Sequence, residues 1–555
     1  MKSIEIKLID KNTVLATISL VENIASKYVY NETSKEGIEN FRKVNSKEFL
    51  LSNDNMTFVA TLEDKVVGVI ALRKVNHISL LFVDDQYFNQ HIATELFNTI
   101  KKLVPYDLEV NSSTYALDFY HHLGFKDMDT KQVKDGITFT PMIYKNDTKS
   151  SFDTYDEFVK FMEDQKDRVY SLDNFKNYMN SLSNPQKLLN VIHIGGTNGK
   201  GSTTNYIKEV LVDAGYRVGT FTSPSLTERK DVIQINGISI TNEEIVQFAN
   251  YYKDIWLDFE ISIFEIEVFI AVMYFIFNKV DYAIFEVGLG GTLDATNIVS
   301  PMVCVNTNIG LDHVDYLGHT YKEIALNKAG IVKEGIDYIT GETRKECLDV
   351  FKDVCKRKHS NLITISKPQK HEISDNIIYD YKDYHIVLNT KALYQIDNSV
   401  LAINVLDYLK NKNLVNFTKE NLERGLSKAH WSGRFEQIHD NPTIIIDGAH
   451  NKEGIDAFFE SAKGYKNPKI IFSALKDKDT KHMISKLLEL TDDLTITEFV
   501  HPRMASAKDL AKGFNVKIDE DYKHAIDEAL NQDKTVFITG SLYFISYVIK
   551  YLKNK

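Results

Sequence analysis

The segment VIHIGGTNGKGS at residues 191–202 combines the residue types that phosphate chemistry needs. Gly196, Gly199 and Gly201 let the backbone turn tightly and aim successive N–H groups at one point. Lys200 supplies a cation for the β- and γ-phosphates of a nucleotide, and the Ser202 hydroxyl suits a magnesium ion. A helix that follows such a turn adds its positive N-terminal end. The general GxxxxGK[ST] pattern is not met as written, because Gly201 separates Lys200 from Ser202. Seven residues in order between a strand and a helix argue against a ligand-free glycine turn. Gly196, Thr197, Asn198, Gly199, Lys200, Gly201 and Ser202 are therefore expected to contact ATP.

The elements around this loop are legible from their periods. Leu188–Ile194 reads as an apolar strand, and Tyr206, Ile207, Val210, Leu211 and Ala214 mark one face of the helix after the loop. Further apolar strands are expected at Val218–Phe221, Tyr282–Phe285 and Met302–Asn306, then at Thr443–Ile446, Ile470–Phe472, Leu494–Thr497 and Thr535–Ile538. Apolar strands linked by amphipathic helices mean parallel sheets covered on both faces, hence two doubly wound α/β domains. Ser223, Glu286 and His313 fall after or near the C-terminal ends of these strands, where open α/β sheets gather their ligands. The N-terminal segment is mixed α+β. It has a hairpin from Met56–Thr61 and Val66–Leu72, a strand at Ile78–Val83 and a helix at Phe88–Leu103.

The polar run KNDTKSSFDT, Lys145–Thr154, reads as a linker, and a second change comes near WSGR at 431–434. These divisions give expected domains at 1–147, 152–434 and 435–555. At 555 residues, 43% apolar and 26% charged, the chain has ample sequence to bury in several cores. A net charge of −11 argues against nucleic acid as the main partner. Cys304, Cys347 and Cys355 are too few for a disulfide scaffold and lack metal-site spacing. The charge-broken N-terminus MKSIEIKLIDK does not read as a signal peptide, and the longest apolar run, Phe269–Phe277, is too short to cross a bilayer. A cytoplasmic protein with no membrane, nucleic-acid or obligate protein partner is expected.

Several motifs, taken in order, resemble one family. They are Pro185-Gln186, HIGGTNGKGS, TSPSL at 222–226, EVGLGGTLDATN at 286–297, LDHVDYLG at 311–318 and KAGI at 328–331. WSGRFE at 431–436, DGAHN at 447–451 and GSLYF at 540–544 follow. From about residue 152 onward the chain is similar to the folylpolyglutamate and dihydrofolate synthases of the Mur ligase superfamily. That resemblance implies a P-loop central domain and a Rossmann-like C-terminal ligase domain. It also implies ATP-dependent attachment of L-glutamate to a folate carboxylate through an acyl phosphate. By the same resemblance, Ser202, Ser223 and Glu286 hold the magnesium of ATP, and His313 and a carbamylated Lys328 hold a second metal. Lys200, His313 and Lys328 are the implied catalytic groups of this half. Arg434 and Asp447 would reach ATP from the C-terminal domain, and His450 would contact its adenine side. An Asp that ends a strand is also a common helix cap, and a lone His a common structural residue.

The pattern departs at Ser225, at Lys230-Asp231-Val232-Ile233, at Thr292 in place of Arg, at Asn327 in place of Glu and at Lys452 in place of Pro. None of these removes an implied phosphate or metal ligand. They leave open a related ligase that acts on a non-folate acid, and a non-catalytic nucleotide-binding sensor. Residues 1–147 resemble GNAT-type acyltransferases through VNSSTYALDFYHHLGF at 110–125 and GITFTPMIY at 136–144. That implies an acetyl-CoA site with Tyr120 as the acid for the leaving thiolate; an aromatic in a helix core is the other reading of Tyr120. The family's QxxGxG/A turn is replaced by Phe88-Asn89-Gln90-His91-Ile92-Ala93, where a side chain at 91 is expected to crowd the phosphate.

Overall fold

The computed structural model describes residues 4–52, 54–146, 151–164, 170–226, 228–368, 370–374, 376–553 and 555. Of the expected linker at Lys145–Thr154, residues 147–150 lie outside the described residues. The chain forms two compact units, one of residues 1–189 with 241–279 and the other of 190–240 with 280–555.

The first unit carries an eight-stranded sheet in the order Glu5–Leu8, Met56–Leu62, Lys65–Arg73, His77–Val83, Leu108–Ser112, Ile137–Tyr144. Lys126–Asp127 and Gln132–Lys134 both pair with the last of these. Pairing is antiparallel except between His77–Val83 and Leu108–Ser112, which are parallel and meet only at His77↔Glu109 and Ile78↔Val110. Beyond Ile78 and Val110 the two strands run on without pairing to each other, which opens a slot in the sheet. The expected hairpin and third strand are present. The expected Phe88–Leu103 helix is shorter: it begins at Ile92, because Asn89 and His91 take left-handed φ values of 61° and 62° that no helix continues. The same unit includes the helices Asn242–Asp258 and Ile263–Phe277. The second is buried at 12 positions around its circumference, so it packs on several sides at once. Trp256, Tyr178, Tyr252 and Phe269 are among its unit's largest fully buried side chains.

The second unit holds the phosphate-loop sheet. From Val218–Phe221 the order runs Tyr282–Glu286, Val191–Gly195, Pro301–Asn306, Tyr338–Thr340, Leu362–Thr364, all parallel. Two short antiparallel strands, Ile233–Ile235 and Ile238–Ser239, extend its edge. The strand before the loop starts at Val191 rather than Leu188, since Pro185–Leu188 closes a 3-10 turn. It lies between the strands that end in Glu286 and Asn306, with Glu286 beside Ile194 and Asn306 beside Gly195. This is where the strand order reverses, the place at which such sheets bind ligands. A three-stranded antiparallel sheet of Glu372–Ile373, Ile377–Tyr381 and Tyr384–Leu388 follows, which the apolar periodicity did not reveal. The C-terminal sheet has the order Glu436–Asp440, Thr443–Asp447, Val536–Thr539, Lys469–Phe472, Leu494–Thr497, Lys517–Asp519, parallel but for its first strand.

Candidate active site

The turn after Val191–Gly195 is built as its glycines require. Gly196 has φ 131° and Gly199 φ 83°, and Gly199 is the N-cap of the helix Lys200–Asp213. A Cβ on Gly196 would strike Thr307, whose backbone nitrogen lies 2.9 Å away, and one on Gly199 would strike the Asn398 amide. The extra glycine has a different reason. Gly201 is helical, and a Cβ there would lie 3.0 Å from the Trp431 ring and 3.3 Å from Glu286 Oε2. Gly201 thus lets an indole and a carboxylate sit against the first helical turn. That helix is buried on most sides, by helices Tyr394–Asn411 and Lys419–Lys428, rather than along one face.

Asn308 grips the outer half of the loop: its carbonyl accepts from Thr197 N (2.9 Å), and its side chain accepts from Asn198 N (3.0 Å). The first-turn N–H groups, from Lys200 to Ser202, remain at the open end of the helix. Lys200 Nζ donates to Thr197 O (3.1 Å) and lies 3.9 Å from Glu286 Oε1. Ser202 is buried and its Oγ accepts from Gln395 Nε2 (3.2 Å). Glu286 Oε2 accepts from Ser223 N (3.4 Å). Burial pushes the Glu286 carboxyl up to about 7, and Lys200, the Ser223 N–H and Arg434 only partly offset this. A buried carboxylate with Ser223 against it and Ser202 in the adjoining first helical turn offers hard oxygen donors of the kind magnesium takes.

Lys328 ends the helix Tyr321–Lys328 and is buried, with Nζ donating to Gly196 O (2.8 Å). Burial, then the charge of Lys200, pushes it down to about 7. His313 has φ 51° and starts the short helix Val314–Leu317. It stands beside Asp312 in a second cluster. Asp312 meets Lys478 Nζ (2.5 Å), Asn451 Nδ2 (3.1 Å) and His450 Nε2 (3.6 Å). Burial opposes ionisation of Asp312, but His450, Lys478 and His313 hold its carboxyl far below the usual range. Burial pushes His313 down to about 4 against the pull of Asp312.

The C-terminal residues are placed less uniformly. Arg434 lies against Gly448 and contributes to the field at both Glu286 and Asp447. Asp447 accepts from Tyr394 Oη (2.6 Å), Phe435 N (2.9 Å) and Ala449 N (2.8 Å), so its oxygens brace two turns of the C-terminal domain and hold them to helix Tyr394–Asn411. His450 turns to Gly448 O and Asp312. Beside the loop, Ser202, Asn205, Gln395, Trp431, Arg434 and Tyr465 help line a pocket of about 280 Å³, which His450 does not line. Asn308, Asp312, Asn451 and Lys478 were not singled out in the sequence. Asp312 and Asn451 lie inside quoted motifs, whereas Asn308 and Lys478 carry no local signal. Asn198 and Asn451 exchange amide hydrogen bonds (3.0 and 3.1 Å), which joins the loop to the C-terminal domain.

In the first unit, the slot between the splayed strands opens into a cavity of about 1130 Å³. It is lined by Asn89–Thr94 at the start of the helix Ile92–Leu103, by the strand ends and by Tyr120. His91 supplies no side-chain cap to that helix and its side chain is exposed, so it stands at the rim. Tyr120 is buried, edge-on to Phe125 (5.2 Å between ring centres), and burial raises its hydroxyl well above the usual phenol range.

Comparison with known proteins agrees with this architecture. Family models for an acetyltransferase (GNAT) domain, a Mur ligase middle domain and a Mur ligase glutamate ligase domain match residues 29–146, 194–406 and 433–542. The dihydrofolate synthase/folylpolyglutamate synthase of Bacillus subtilis is 37% identical over 409 residues, which span 69% of this chain and 95% of that one. The folylpolyglutamate synthase of Lacticaseibacillus casei is 31% identical over 395 residues, 67% of this chain and 91% of its own. A bifunctional folylpolyglutamate synthase/dihydrofolate synthase from Yersinia pestis, solved with AMPPNP and a manganese ion, superposes with a TM-score of 0.66 at 26% identity. It covers 73% of this chain and all of that one. The chain belongs to the folylpolyglutamate synthase/dihydrofolate synthase family, and carries a GNAT domain ahead of its ligase domains.

Proposed function

We propose that the chain is an ATP-dependent ligase that adds L-glutamate to the carboxylate of a folate by way of an acyl phosphate. The reading rests on one juxtaposition: Lys200, Ser202, Ser223 and Glu286 gathered at the helix start beside the phosphate loop. In it, the first-turn N–H groups and Lys200 receive the β- and γ-phosphates, and Ser202, Ser223 and Glu286 hold magnesium. Bound there, the metal spreads the charge of the transferred phosphoryl group. Arg434 meets the phosphates from the C-terminal domain, and the pocket beside Trp431 takes the nucleoside. His313 and Lys328 serve a second metal. Lys328 is suited to carbamylation because its lowered pKa leaves much of the amine neutral near pH 7, the form that adds CO₂. Asp447 acts here as a positioning residue for Arg434 and its turn.

Domain limits at about 147 and 434, and a cytoplasmic location, belong to the same proposal. The three cysteines are all buried and unpaired, as a reducing compartment allows. No helix among the described residues is long and apolar enough to cross a membrane. The N-terminal cavity is assigned to acetyl-CoA. Its pyrophosphate would lie at the uncapped start of Ile92–Leu103, with Tyr120 protonating the thiolate.

A non-folate acid is the second reading, motivated by the departures from the family pattern. Those departures are absorbed locally: Thr292 donates to Asn327 O (2.9 Å) and Lys452 pairs with Asp456 (3.0 Å), so neither adds a new ligand group. The test follows ADP and phosphate release with glutamate and either tetrahydrofolate, dihydropteroate or no pterin. Release with tetrahydrofolate supports the assignment, and release with dihydropteroate adds dihydrofolate synthesis. Indifference to every pterin sinks it.

A further inference from the structure

The cavity of the N-terminal domain reaches both faces of its sheet. On one face, Gly68 packs against Ile92 and Leu96 of the helix whose start is open. On the other, Val69 and Ala71 join a core with Phe41 and Leu80. Arg73 shares that second face by strand alternation. Pairing steps from Ala71↔Leu80 to Leu72↔Ile78, which leaves Ser79 as a bulge and returns His77 opposite Arg73. His77 is also in register with Glu109 of the neighbouring strand. Three polar side chains therefore stand in a row, at the point where the strands begin to part.

Their contacts define roles. Arg73 has only donors, so its bond to His77 Nε2 (3.2 Å) makes Nε2 the acceptor and places the imidazole proton on Nδ1, 3.8 Å from Glu109 Oε2. Arg73 is exposed where it lines the cavity and has no carboxylate partner among the described residues, so its guanidinium is open to an incoming anion. The cavity that Arg73 and His77 help line carries Phe41, Val44, Phe82, Ile137 and Phe139, with Asn40, Lys134 and Asp135 among its polar members.

We propose that this face is the acyl-acceptor site of the domain. It receives an α-amino acid with an apolar side chain, Arg73 binding the carboxylate and His77 taking a proton from the amine. The inference rests on the acetyl-CoA reading above. A cation without a counter-ion asks for an anion, the aromatic wall asks for an apolar body, and a neutral imidazole asks for an N–H donor. Burial and the charges of Arg73 and Lys74 push His77 down to about 4, so it is unprotonated at neutral pH. A carboxylate on Arg73 draws the guanidinium away from Nε2 and cancels part of that field, which strengthens the base when substrate is present. In the reaction, the ammonium gives one proton to His77 Nε2, which passes it to solvent. The amine lone pair forms the C–N bond to the acetyl carbon, and the C–S bond breaks with its electron pair on sulfur. Tyr120 protonates that sulfur and regains a proton from the acylated nitrogen. The products are an N-acetylamino acid and free CoA.

The test uses the full chain with acetyl-CoA, scoring thiol release and N-acetyl product, while calorimetry reads CoA binding separately. The acceptors are L-phenylalanine, phenethylamine without the carboxylate, and L-glutamate without the apolar body. L-phenylalanine is expected to lead both by about 10-fold or more. Arg73→Met should reduce it to the phenethylamine level, about a 10–100-fold loss, without changing CoA binding. His77→Gln should lower kcat by about 100-fold or more while KM for L-phenylalanine holds. CoA binding, unchanged in both variants, reports that the N-terminal domain is folded. CoA binding without acetylation of L-phenylalanine overturns the acceptor proposal, as does a preference that survives Arg73→Met or a kcat that survives His77→Gln. Failure to bind CoA at millimolar concentration overturns the acetyl-CoA reading beneath it.

Discussion

Glu286→Gln separates stability from function at the centre of the ligase site. The carboxyl is buried, and its nearest compensation is Lys200 at 3.9 Å and one backbone N–H at 3.4 Å. Moving it from 4.5 to about 7 means that ionising it costs the folded state about 3 kcal/mol above pH 7. An acid raised on folding binds more protons in the native state between those two values. Stability of the metal-free protein therefore falls as pH rises from about 4.5 to 7, and the full cost stays in place above 7. The isosteric amide keeps the hydrogen-bonding oxygen and removes that charge. At pH 8 without metal the variant should be more stable by about 1–3 kcal/mol, the lower figure allowing for the lost attraction of Lys200. Thermal unfolding monitored by calorimetry should show a midpoint raised by a few degrees. Magnesium-dependent turnover should fall by at least about 1000-fold, and added magnesium should no longer stabilise the protein in the presence of ATP. This is the trade-off expected where a site keeps a costly charge for its ligand. An unchanged or lower midpoint in the absence of metal would refute the reasoning, and so would retained turnover.

Other outcomes follow from the same geometry. Lys200→Ala should abolish turnover while leaving the fold intact, measured by ADP release and circular dichroism; undiminished turnover would remove Lys200 from the phosphate site. Gly201→Ala should leave stability within about 1 kcal/mol, since alanine favours the helix while the methyl presses on Trp431, yet lower kcat about 10-fold or more through displacement of Glu286. Gly196→Ala should instead destabilise strongly, because both its φ of 131° and the Thr307 backbone exclude a side chain. Chemical denaturation of the pair decides between these. Magnesium affinity should rise with pH up to about 7 and then level off, as the metal competes with the proton on Glu286. At limiting CO₂, activity should rise with pH through about 7, where Lys328 becomes neutral, and bicarbonate should restore it below that point. A profile indifferent to bicarbonate would count against carbamylation.

The ligase site was legible where local chemistry and local structure coincide. The glycines of the loop, Lys200, Ser202 and the strand-ending Glu286 each sit where the backbone pattern places them. Gly201 illustrates the limit, because its spacing is visible in sequence but its cause, the ring of Trp431, lies 230 residues away in the chain. Asn308, Lys478 and the Asn198–Asn451 exchange are long-range polar contacts without periodicity, so nothing local announces them. Asp447 shows the converse. Its motif is conspicuous, but its oxygens serve Tyr394 and two backbone N–H groups.

The fold shows the same division. Helix Ile263–Phe277 was visible only as an apolar run, and its inclusion in the compact unit with the N-terminal sheet depends on contacts from other elements. Tyr251 and Tyr252 of the preceding helix donate to the Lys101 and Leu103 carbonyls, and Phe277 meets Tyr106 edge-on at 5.4 Å. The helix expected from Phe88 was too long, since hydrophobic periodicity carries no information about the left-handed turn at His91.

Oxygen transfer tests the central claim most directly. Tetrahydrofolate labelled with ¹⁸O in its γ-carboxylate is incubated with ATP, magnesium and L-glutamate, and both products are analysed by mass spectrometry. Passage through an acyl phosphate requires that the first glutamate added, at the labelled carboxylate, release one phosphate carrying one ¹⁸O and leave the other ¹⁸O in the new amide. Glutamylated product accompanied only by unlabelled phosphate, or ATP hydrolysis without any glutamylated folate, would contradict it.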